Sequence, residues 1–515
     1  MTDATNSAPD ETEGSNSPFV RRMIDSHSVL GLAFAALIYI VSLSGALTLF
    51  VDEISLWESP DVPASFQTTP VAVSTAVKNA EAQLKPGNEI LNIIAYAPNE
   101  FKPYLTVRLN ERQDQKSDLI STDWVANPES GELKSEVEAP FAHVIEDLHT
   151  MLHLPRPWGR YLVGLLGVVM FTLILSGIFA HPTIFKDAFK MRLKRNARIA
   201  WTDVHNRLSV WGLPFHLIIT FTGAFLGVAG ITIAALAMVA FEGDQEAAIQ
   251  VIQGPQAIQD APPMAASPDY EKMLANSEGE GRTFSLLVAG NPKSSGETTT
   301  IAFYEDGILS ARTSEIYRND GAFLEKLGGS GSSAGARAFG MVQPLHYGTF
   351  GGYPIKIFYF MLSLALTYIT STGMMIWFKR KMQQGQAKPK HEAAWRGMTT
   401  GLSLGLAGTA LLVAANIAVP LELAFFTIWA AALAAIYLAK QPLKMMRNQY
   451  LLIASLLGLT ALFHFPAALA SEAAAQGILI AIDVSLLLGA LAFAFAALRG
   501  SKKEVDQTME VVPAE

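Results

Sequence analysis

The sequence predicts a mainly α-helical integral membrane protein, with eight transmembrane helices and two small α+β domains inserted between them. Only 16% of its 515 residues are charged, whereas a soluble protein of this length carries about 25%. Half of the residues are hydrophobic, and the mean hydropathy is +0.28. Several apolar runs also reach the roughly 20 residues that cross the core of a bilayer.

The apolar runs divide the chain into spans separated by polar segments. We predict a disordered cytoplasmic tail (1–17), a first span (18–50), an outer domain (51–158), a second span (159–181), a basic loop (182–203), a third span (204–240), a second outer domain (241–350) and a fourth span (351–381). Four further spans are predicted within 400–498, at about 400–419, 421–439, 450–470 and 476–498, before a cytoplasmic tail at 499–515.

Lysine and arginine clusters orient these spans, because basic residues concentrate in cytoplasmic loops. All five clusters fall on one side if the N-terminus is cytoplasmic, and an even number of spans returns the C-terminus to that side. The clusters are Arg21 and Arg22; Lys186, Lys190, Arg192, Lys194, Arg195 and Arg198; Lys379, Arg380 and Lys381; Lys440, Lys444 and Arg447; and Arg499, Lys502 and Lys503. We therefore expect a multi-pass protein of a bacterial inner membrane, with both termini in the cytoplasm.

The two outer segments show mixed helix and strand patterns, which predict small α+β domains. The expected elements are a helix at Val71–Leu84 and strands at Ile90–Tyr96, Tyr104–Leu109, Phe284–Val288, Thr298–Tyr304 and Ile308–Ala311. The Gly/Ser-rich stretch from Gly328 to Ser333 is expected to be a linker or a mobile loop.

The residue types present exclude several kinds of chemistry. The chain has no cysteine, which excludes disulfides, iron–sulfur clusters, thiolate metal sites and cysteine nucleophiles. Histidine and carboxylate are therefore the strong metal ligands that remain. The net charge is -8 and no basic face is visible, so we expect no nucleic-acid partner.

An internal repeat organises the first four spans. Each carries a small-residue pair near one end: Ser44-Gly45, Ser176-Gly177, Thr222-Gly223 and Thr372-Gly373. A histidine precedes each pair at a matching distance. His27 precedes Gly45 at the same spacing as His205 precedes Gly223, and His149 precedes Gly177 at almost the same spacing as His346 precedes Gly373. We interpret the Ser/Thr-Gly pairs mainly as sites of close helix packing.

The histidines near these spans divide into two layers. His27 and His205, with His181 as a further member, lie at the cytoplasmic ends. The outer layer contains His149, His153 and His346, with His216 deeper. A zinc site would need a tight cluster with carboxylates, which are scarce in the spans. Neutral imidazoles on facing helices suit iron porphyrins with two axial nitrogens, one haem near each face of the bilayer.

Helical geometry refines this hypothesis. His205 and His216 stand about three turns apart on what the pattern predicts as one helix, so they share a face at depths about 16 Å apart. His149 and His153 stand at i, i+4 and share a face if their segment is helical. The basic residues that could pair with haem propionates are Arg160, Arg207, Arg156 and Lys356, for which interfacial snorkelling is an equal explanation.

Five stretches of residues 20–381 carry these histidine and glycine marks. They are His27-Ser-Val-Leu-Gly-Leu with Leu43-Ser-Gly-Ala-Leu47; Leu148-His-Thr-Met-Leu-His-Leu154 with Gly159-Arg-Tyr-Leu-Val-Gly164; Ser176-Gly-Ile-Phe-Ala-His-Pro182; Asp203-Val-His-Asn-Arg-Leu208 through Thr222-Gly-Ala224; and Pro344-Leu-His-Tyr-Gly348 through Thr372-Gly-Met374. In this pattern the chain resembles the PepSY-associated transmembrane proteins, an iron-regulated family that includes inner-membrane ferrisiderophore reductases.

The resemblance implies two PepSY-like outer domains around a four-helix haem-binding core with two b-type haems. It gives His27 and His205 the role of axial ligands to the inner haem, and His149 and His346 the same role at the outer haem. His153, His181 and His216 stay as additional candidates, and the pairing is left open. Spans 5 to 8 lie outside the resemblance and are interpreted as packing or lipid-facing helices, without a role in electron transfer.

The resemblance also implies a ferric-siderophore reductase that moves electrons outward to a periplasmic iron(III)–siderophore. Reduction to iron(II) weakens binding by hard oxygen ligands and releases the metal. No GxGxxG motif follows a predicted strand, and no soluble flavin or nicotinamide domain is visible. The electrons would therefore come from a separate cytoplasmic reductase, a flavin or a membrane quinol.

Two other functions stay open at this point. The tandem repeat is also typical of transporters, here for a metal or a siderophore, although the spans show few acids and no obvious broken helix. A regulatory or scaffold protein, whose outer domains bind a peptide or inhibit a protease, is the other alternative. The colour of the purified protein would separate a haem protein from both.

Overall fold

The computed structural model describes residues 17–509, apart from gaps at 115–116, 118, 137, 157, 182, 188–196, 245–254, 256–257, 259–260, 280, 308, 310–311 and 330–332. The predicted tail before residue 17 and much of the basic cluster between spans 2 and 3 lie outside the described residues. So do Ile308, Ser310 and Ala311 of one predicted strand, and Ser330, Gly331 and Ser332 of the Gly/Ser-rich stretch.

The chain as far as Gln383 forms two halves with the same order of elements. The first half contains α1 (Pro18–Thr48), α2 (Val51–Glu58), α3 (Pro70–Glu81), β1 (Glu89–Tyr96), β2 (Leu105–Arg112), β3 (Ile120–Ala126), β4 (Leu133–Glu136), α4 (Pro140–Thr150) and α5 (Trp158–Ala180). After a short α6 (Ile184–Asp187), the second half contains α7 (Ala197–Trp211), α8 (Leu213–Gly227), α9 (Ala229–Ala240), α10 (Tyr270–Ser277), β5 (Arg282–Gly290), β6 (Thr298–Glu305), β7 (Thr313–Arg318), β8 (Phe323–Leu327), α11 (Ala334–Tyr347) and α12 (Gly352–Gln383).

A bundle of four helices completes the chain: α13 (Pro389–Ala414), α14 (Leu421–Leu438), α15 (Pro442–Ala470) and α16 (Ala473–Met509). Among the described residues, seven helices are long and apolar enough to cross a membrane, namely α1, α5 and α12 to α16. Leu462, Leu491 and Leu498 are about two-thirds exposed, as expected for side chains that face lipid.

The third predicted span is bent. Helices α7 and α8 meet the criteria for a span only as a pair, which bends by 71° at a break between Trp211 and Leu213. Gly212 and Pro214 explain the break, because glycine weakens a helix and proline favours its first turn. The prediction of one straight helix through His205 and His216 is therefore wrong, and so is the common face inferred from it.

The two outer segments form one continuous antiparallel sheet, which corrects the prediction of two separate domains. Its strand order is β4-β3-β2-β1-β5-β6-β7-β8, so one strand from each half meets at the centre. In this central pairing Ile94 lies opposite Val288. Helices α3 and α10 pack on the sheet, where Val77, Leu109 and Tyr270 join one hydrophobic core.

The local sequence explains where the outer elements begin and why some were missed. Thr69 caps α3 by accepting a hydrogen bond from the Ala72 N–H at 3.1 Å, and Asp269 caps α10 in the same way. The predicted strands at β1, β2, β5 and β6 are present, whereas the next strand begins at Thr313. The edge strands β4 and β8 were not predicted because they are short and mostly exposed, without a clear apolar alternation.

The C-terminal bundle packs on both the first half and the outer sheet. The Tyr39 ring on α1 meets Trp395 of α13 at 5.7 Å between ring centres. Buried Asp483 accepts hydrogen bonds from Trp57 Nε1 at 3.0 Å and from His464 Nδ1 at 2.9 Å. Helices α15 and α16 are therefore joined to α2 through buried polar contacts, beyond the apolar packing that the sequence indicated.

Candidate functional site

Four histidines from matching positions in the two halves form two facing pairs. His27 on α1 faces His205 on α7, with ring centres 6.3 Å apart and planes at 89°. His149 on α4 faces His346 on α11, with ring centres 6.2 Å apart and planes at 19°. The second pair lies at the end of the spans that carries the sheet, so we call it the sheet-side pair and the first the far-side pair. Each pair takes one ring from each half.

Helix carbonyls hold the Nδ1 atoms of three rings and face the fourth ring. The Nδ1 atoms of His27, His149 and His205 lie 2.9 Å from the Leu173 oxygen, 2.9 Å from the Val41 oxygen and 3.1 Å from the Ile369 oxygen, and the Ile219 carbonyl faces His346. Every one of these carbonyls stands four residues before the glycine of a Ser/Thr-Gly pair. A carbonyl only accepts, so the Nδ1 atoms of the first three rings carry the hydrogen and these neutral rings keep their lone pair on Nε2. His346 Nδ1 also carries a hydrogen, because its partner Thr222 Oγ1 already donates to the Ile218 carbonyl.

The glycines of the Ser/Thr-Gly pairs make room for these rings. A Cβ atom on Gly45 would lie 2.6 Å from His149 Cε1, and one on Gly223 would lie 2.8 Å from His346 Cε1. The same distance is 3.2 Å from Gly177 to His27 and 3.6 Å from Gly373 to His205.

The interpretation of the Ser/Thr-Gly pairs mainly as helix-packing sites is therefore corrected, because the glycine of each lies against an imidazole ring. Close helix packing occurs elsewhere, where α5 meets α8. A Cβ atom on Gly164 would lie 2.8 Å from the carbonyl carbon of Gly227.

In three of the four Ser/Thr-Gly pairs, the hydroxyl makes a second contact with the imidazole ring. Ser176 Oγ, Thr222 Oγ1 and Thr372 Oγ1 lie 3.2, 3.0 and 2.9 Å from the Nδ1 atoms of His27, His346 and His205. Each hydroxyl also donates to a carbonyl of its own helix, which leaves its oxygen free to accept. The fourth hydroxyl, on Ser44, donates to the Ile40 and Val41 carbonyls at 2.8 and 3.2 Å.

The spacing within both pairs fits two imidazoles bound to one metal. Two metal–nitrogen bonds of about 2 Å, with roughly 1 Å from each nitrogen to its ring centre, give a separation of about 6 Å. The observed separations are 6.3 and 6.2 Å. Because both Nδ1 atoms of a pair carry hydrogens, the two Nε2 atoms are the ones available to a shared metal.

A cavity of about 650 Å³ surrounds the far-side pair. His27, His205, His216 and His181 line it, together with mainly apolar side chains from α1, α5, α7, α8 and α12. A bare metal ion needs no space of this size, whereas a planar macrocycle does. The donor set and the apolar lining therefore fit a haem.

Two basic residues also line this cavity, Arg380 and Lys381 at the end of α12. They could pair with propionate groups at the edge of a bound haem. Their sequence shows them only as part of the basic cluster after the fourth span, which orients the spans.

Burial keeps the sheet-side rings neutral. It lowers the pKa of His149 and lowers the pKa of His346 to about 3, with a smaller effect from the neighbouring imidazole. A neutral ring is the form that coordinates a metal.

The three additional histidine candidates occupy different places. His181 lines the cavity and lies 3.3 Å from the Thr183 hydroxyl. His216 also lines it, is only 2% exposed, and has a buried Nε2 atom without a hydrogen-bond partner among the described residues. His153 lies elsewhere: its Nε2 is 3.0 Å from the Val144 oxygen and its ring packs on Phe426 of α14. We therefore exclude His153 from both pairs.

The predicted propionate partners also differ in placement. Lys356 is buried and ion-paired with Glu53 at 2.5 Å, so it is not available to a propionate and that prediction is wrong. Arg207 stacks on Trp211 at 5.3 Å and does not line the cavity. Arg160 is exposed at the start of α5. Burial raises the pKa of Tyr347, and the positive charge of the nearby Arg160 opposes this rise. Arg156 is exposed in the preceding loop.

Comparison with known proteins gives two matches. Residues 24–380 match the family described as the PepSY-associated TM region, a segment that contains both histidine pairs and the whole sheet. Helices α13 to α16 lie beyond it. The chain is also similar to an uncharacterized protein of Pseudomonas aeruginosa, with 29% identity over 317 residues that cover 57% of this chain and 79% of the relative.

Proposed function

The chain belongs to the PepSY-associated transmembrane family, and from that premise we propose that it is a di-haem membrane oxidoreductase. It takes electrons from a separate donor at the far side and delivers them to an acceptor at the sheet side. In the cell, the far side is the cytoplasmic face of a bacterial inner membrane and the sheet lies in the periplasm.

One observation carries this proposal: two pairs of neutral imidazoles face each other at the separation that a shared metal requires. His27 and His205 would hold one haem, and His149 and His346 the other. Arg380 and Lys381 would bind the propionates of the first. A bound haem supplies one-electron redox chemistry at its iron.

The positions of the two pairs suit transfer across a bilayer. On α1, His27 lies five helical turns before Gly45, the glycine that makes room for His149. This stretch of helix corresponds to roughly 27 Å, close to the thickness of a bilayer core. One pair would thus lie near each face of the membrane.

The acceptor that we propose is an iron(III)–siderophore at the sheet side. Each iron(III) takes one electron and becomes iron(II), which hard oxygen ligands hold less tightly. The electron comes from a reduced flavin, its reductase or a membrane quinol, each of which is oxidised in turn. The substrate would approach next to the sheet-side pair, where Arg160 lies close to Tyr347.

A second candidate function is transport of a metal or a siderophore, and one observation favours it. The α7–α8 pair is a broken helix with a bend of 71° beside the cavity, and broken helices are typical of transporter binding sites. The expectation that the spans contain no broken helix is therefore wrong.

The decisive experiment measures haem in the full-length protein, purified from cells supplied with ample haem precursor. We expect two haem b groups per chain and an α-band that appears on reduction. In proteoliposomes, an iron(III) complex at the sheet side should be reduced by a donor confined to the far side. A colourless protein that moves the intact complex across the bilayer would instead establish the transporter.

A further inference from the structure

A second cluster of metal-binding groups lies beside the sheet-side pair, outside the sites described so far. It consists of Asp147 near the end of α4, His153 in the loop that follows, and Glu422 in the first turn of α14. One ligand atom from each residue lies within 4.8 Å of the other two. His153 Nδ1 is 3.5 Å from Glu422 Oε1.

The backbone after α4 adopts an unusual conformation that brings His153 back to this helix. Leu152 and His153 have φ angles of 55° and 53°, in the left-handed region that bulky residues rarely occupy. The N–H groups of Met151 and His153 both donate to the Asp147 carbonyl, at 3.0 and 3.2 Å. The turn thus places the His153 ring, whose side chain is only 7% exposed, beside the Asp147 side chain.

The hydrogen bond of His153 determines which nitrogen can bind a metal. Its Nε2 lies 3.0 Å from the Val144 carbonyl oxygen, so this nitrogen carries a hydrogen. The Nδ1 lone pair of the neutral ring then points toward Glu422, whose oxygen is 3.5 Å away. Two hydrogen-bond acceptors at that distance repel each other unless a proton or a metal ion lies between them. A histidine that donates its other N–H to a backbone carbonyl is the usual arrangement in metal sites.

The donor set indicates the class of metal. One imidazole nitrogen and two carboxylates suit divalent first-row ions such as Mn²⁺, Fe²⁺ and Zn²⁺. For bonds of about 2 Å, neighbouring ligand atoms lie roughly 3 to 3.5 Å apart, in line with the His153–Glu422 distance. The Glu422 side chain is 63% exposed, so water can complete the coordination.

We propose that Asp147, His153 and Glu422 form a binding site for a divalent first-row transition metal. The site joins α4, which carries His149, to α14 of the C-terminal bundle. The C-terminal bundle would thus supply one metal ligand, Glu422, which lies outside the matched family segment. The proposal rests on these three residues alone and does not depend on haem binding.

Mn²⁺ is a suitable probe, because the room-temperature paramagnetic resonance signal of free Mn²⁺ disappears on binding. The full-length protein in non-ionic detergent, stripped with a chelator, should bind one Mn²⁺ per chain, and Zn²⁺ should displace it. Asp147→Asn, His153→Gln and Glu422→Gln should each raise the dissociation constant at least about tenfold. The matched controls are Glu146→Gln and His143→Gln, two exposed side chains of α4 that should leave binding unchanged.

Equal Mn²⁺ binding by Glu422→Gln and the unmodified protein would overturn the proposal, as would the absence of Mn²⁺ and Zn²⁺ binding by the unmodified protein. In the second case the His153–Glu422 contact is an ion pair only. Because Glu422 is largely exposed, its variant should fold, which elution volume and helix content verify. Haem measured in the same samples separates the two proposals: a haem-free protein that binds Mn²⁺ rejects only the oxidoreductase.

Discussion

His149 and His346 face each other with their rings nearly parallel, 6.2 Å between centres and 19° between planes. The two residues come from different halves of the chain, and each is held by a carbonyl and a glycine of its own half. The ring orientation is therefore set by the surrounding helices before any ligand arrives. In metal sites such outer contacts fix both the tautomer and the direction of the lone pair.

Replacement of His205 with alanine should remove about one haem equivalent and stop electron transfer across the bilayer. The variant removes one ligand of the far-side pair and leaves the sheet-side pair intact, so half of the haem should stay. Pyridine haemochrome assay and reduced spectra would measure this loss. His143→Ala is the control, because His143 is exposed and belongs to neither pair. Two full haems with unchanged spectra would reject His205 as a ligand.

Alanine at the glycines beside the histidines should reduce haem content in the order of the available space. Gly45→Ala places a Cβ atom 2.6 Å from His149 Cε1, closer than real contacts allow, and should displace the ring. Gly373→Ala places it 3.6 Å from His205 Cε1, an ordinary contact, and should be tolerated. Haem per chain after purification is the measurement.

The matched control for this series is Gly458→Ala, since a Cβ atom there meets nothing within 4 Å. Gly177→Ala, at 3.2 Å from His27, should be intermediate. Equal haem contents in the Gly45 and Gly373 variants would show that these glycines do not serve to place the rings.

Arg380→Ala should lower the midpoint potential of one haem and leave the other unchanged. A cation near the cavity favours the reduced state, which carries one positive charge less. The side chain is exposed, so the shift should be on the order of 20 mV. Redox titration followed by absorbance would resolve it. Lys379→Ala removes the neighbouring charge, which does not line the cavity, and should have little effect. A larger shift in midpoint potential for Lys379→Ala than for Arg380→Ala would contradict the placement of Arg380 at the cavity.

Glu58 should make stability depend on pH. Its carboxylate accepts hydrogen bonds from the Phe141 and Ala142 N–H groups at 2.8 and 2.7 Å, at the start of the helix that carries His149. Burial raises the pKa of Glu58 from 4.5 to about 7, against the opposing effect of those two bonds. Because the pKa is higher in the folded state, the stabilising contribution is complete below pH 4.5 and is lost as the pH rises through 7.

The measurement is the melting temperature in detergent of the unmodified protein and of Glu58→Gln, between about pH 5 and pH 8. The unmodified protein should lose stability relative to the variant as the pH rises. Glu138→Gln changes an exposed carboxyl just before α4 and serves as the control. A constant difference across this range would show that Glu58 does not titrate there.

The sequence predicted the features that depend on local pattern. Apolar runs gave the spans, and the repeat singled out the four histidines that the structure brings into two pairs. The bend at Gly212 could also have been predicted, because Gly212 and Pro214 together favour a break in the helix. The role of the Ser/Thr-Gly pairs could also have been inferred, since each glycine stands one helical turn after the carbonyl that holds a ring.

Features that depend on distant partners could not be predicted in this way. The pairing of β1 with β5 joins segments from different halves of the repeat, and alternation within each strand does not reveal its neighbour. Lys356 was predicted as a possible partner of a haem propionate, because nothing in its own segment indicates that it pairs with Glu53. His153 and Glu422 likewise meet only through the packing of α4 against the C-terminal bundle.

The seam between β1 and β5 indicates how such a chain could have arisen. Two antiparallel neighbours at the centre of a sheet are related by a local twofold axis, as are two rings that come from corresponding places in two halves. A symmetric dimer of a half-length ancestor would have the same seam and the same facing imidazoles on its axis. Gene duplication and fusion would then free each copy to diverge, and the broken third helix, which has no equivalent in α1, records that divergence.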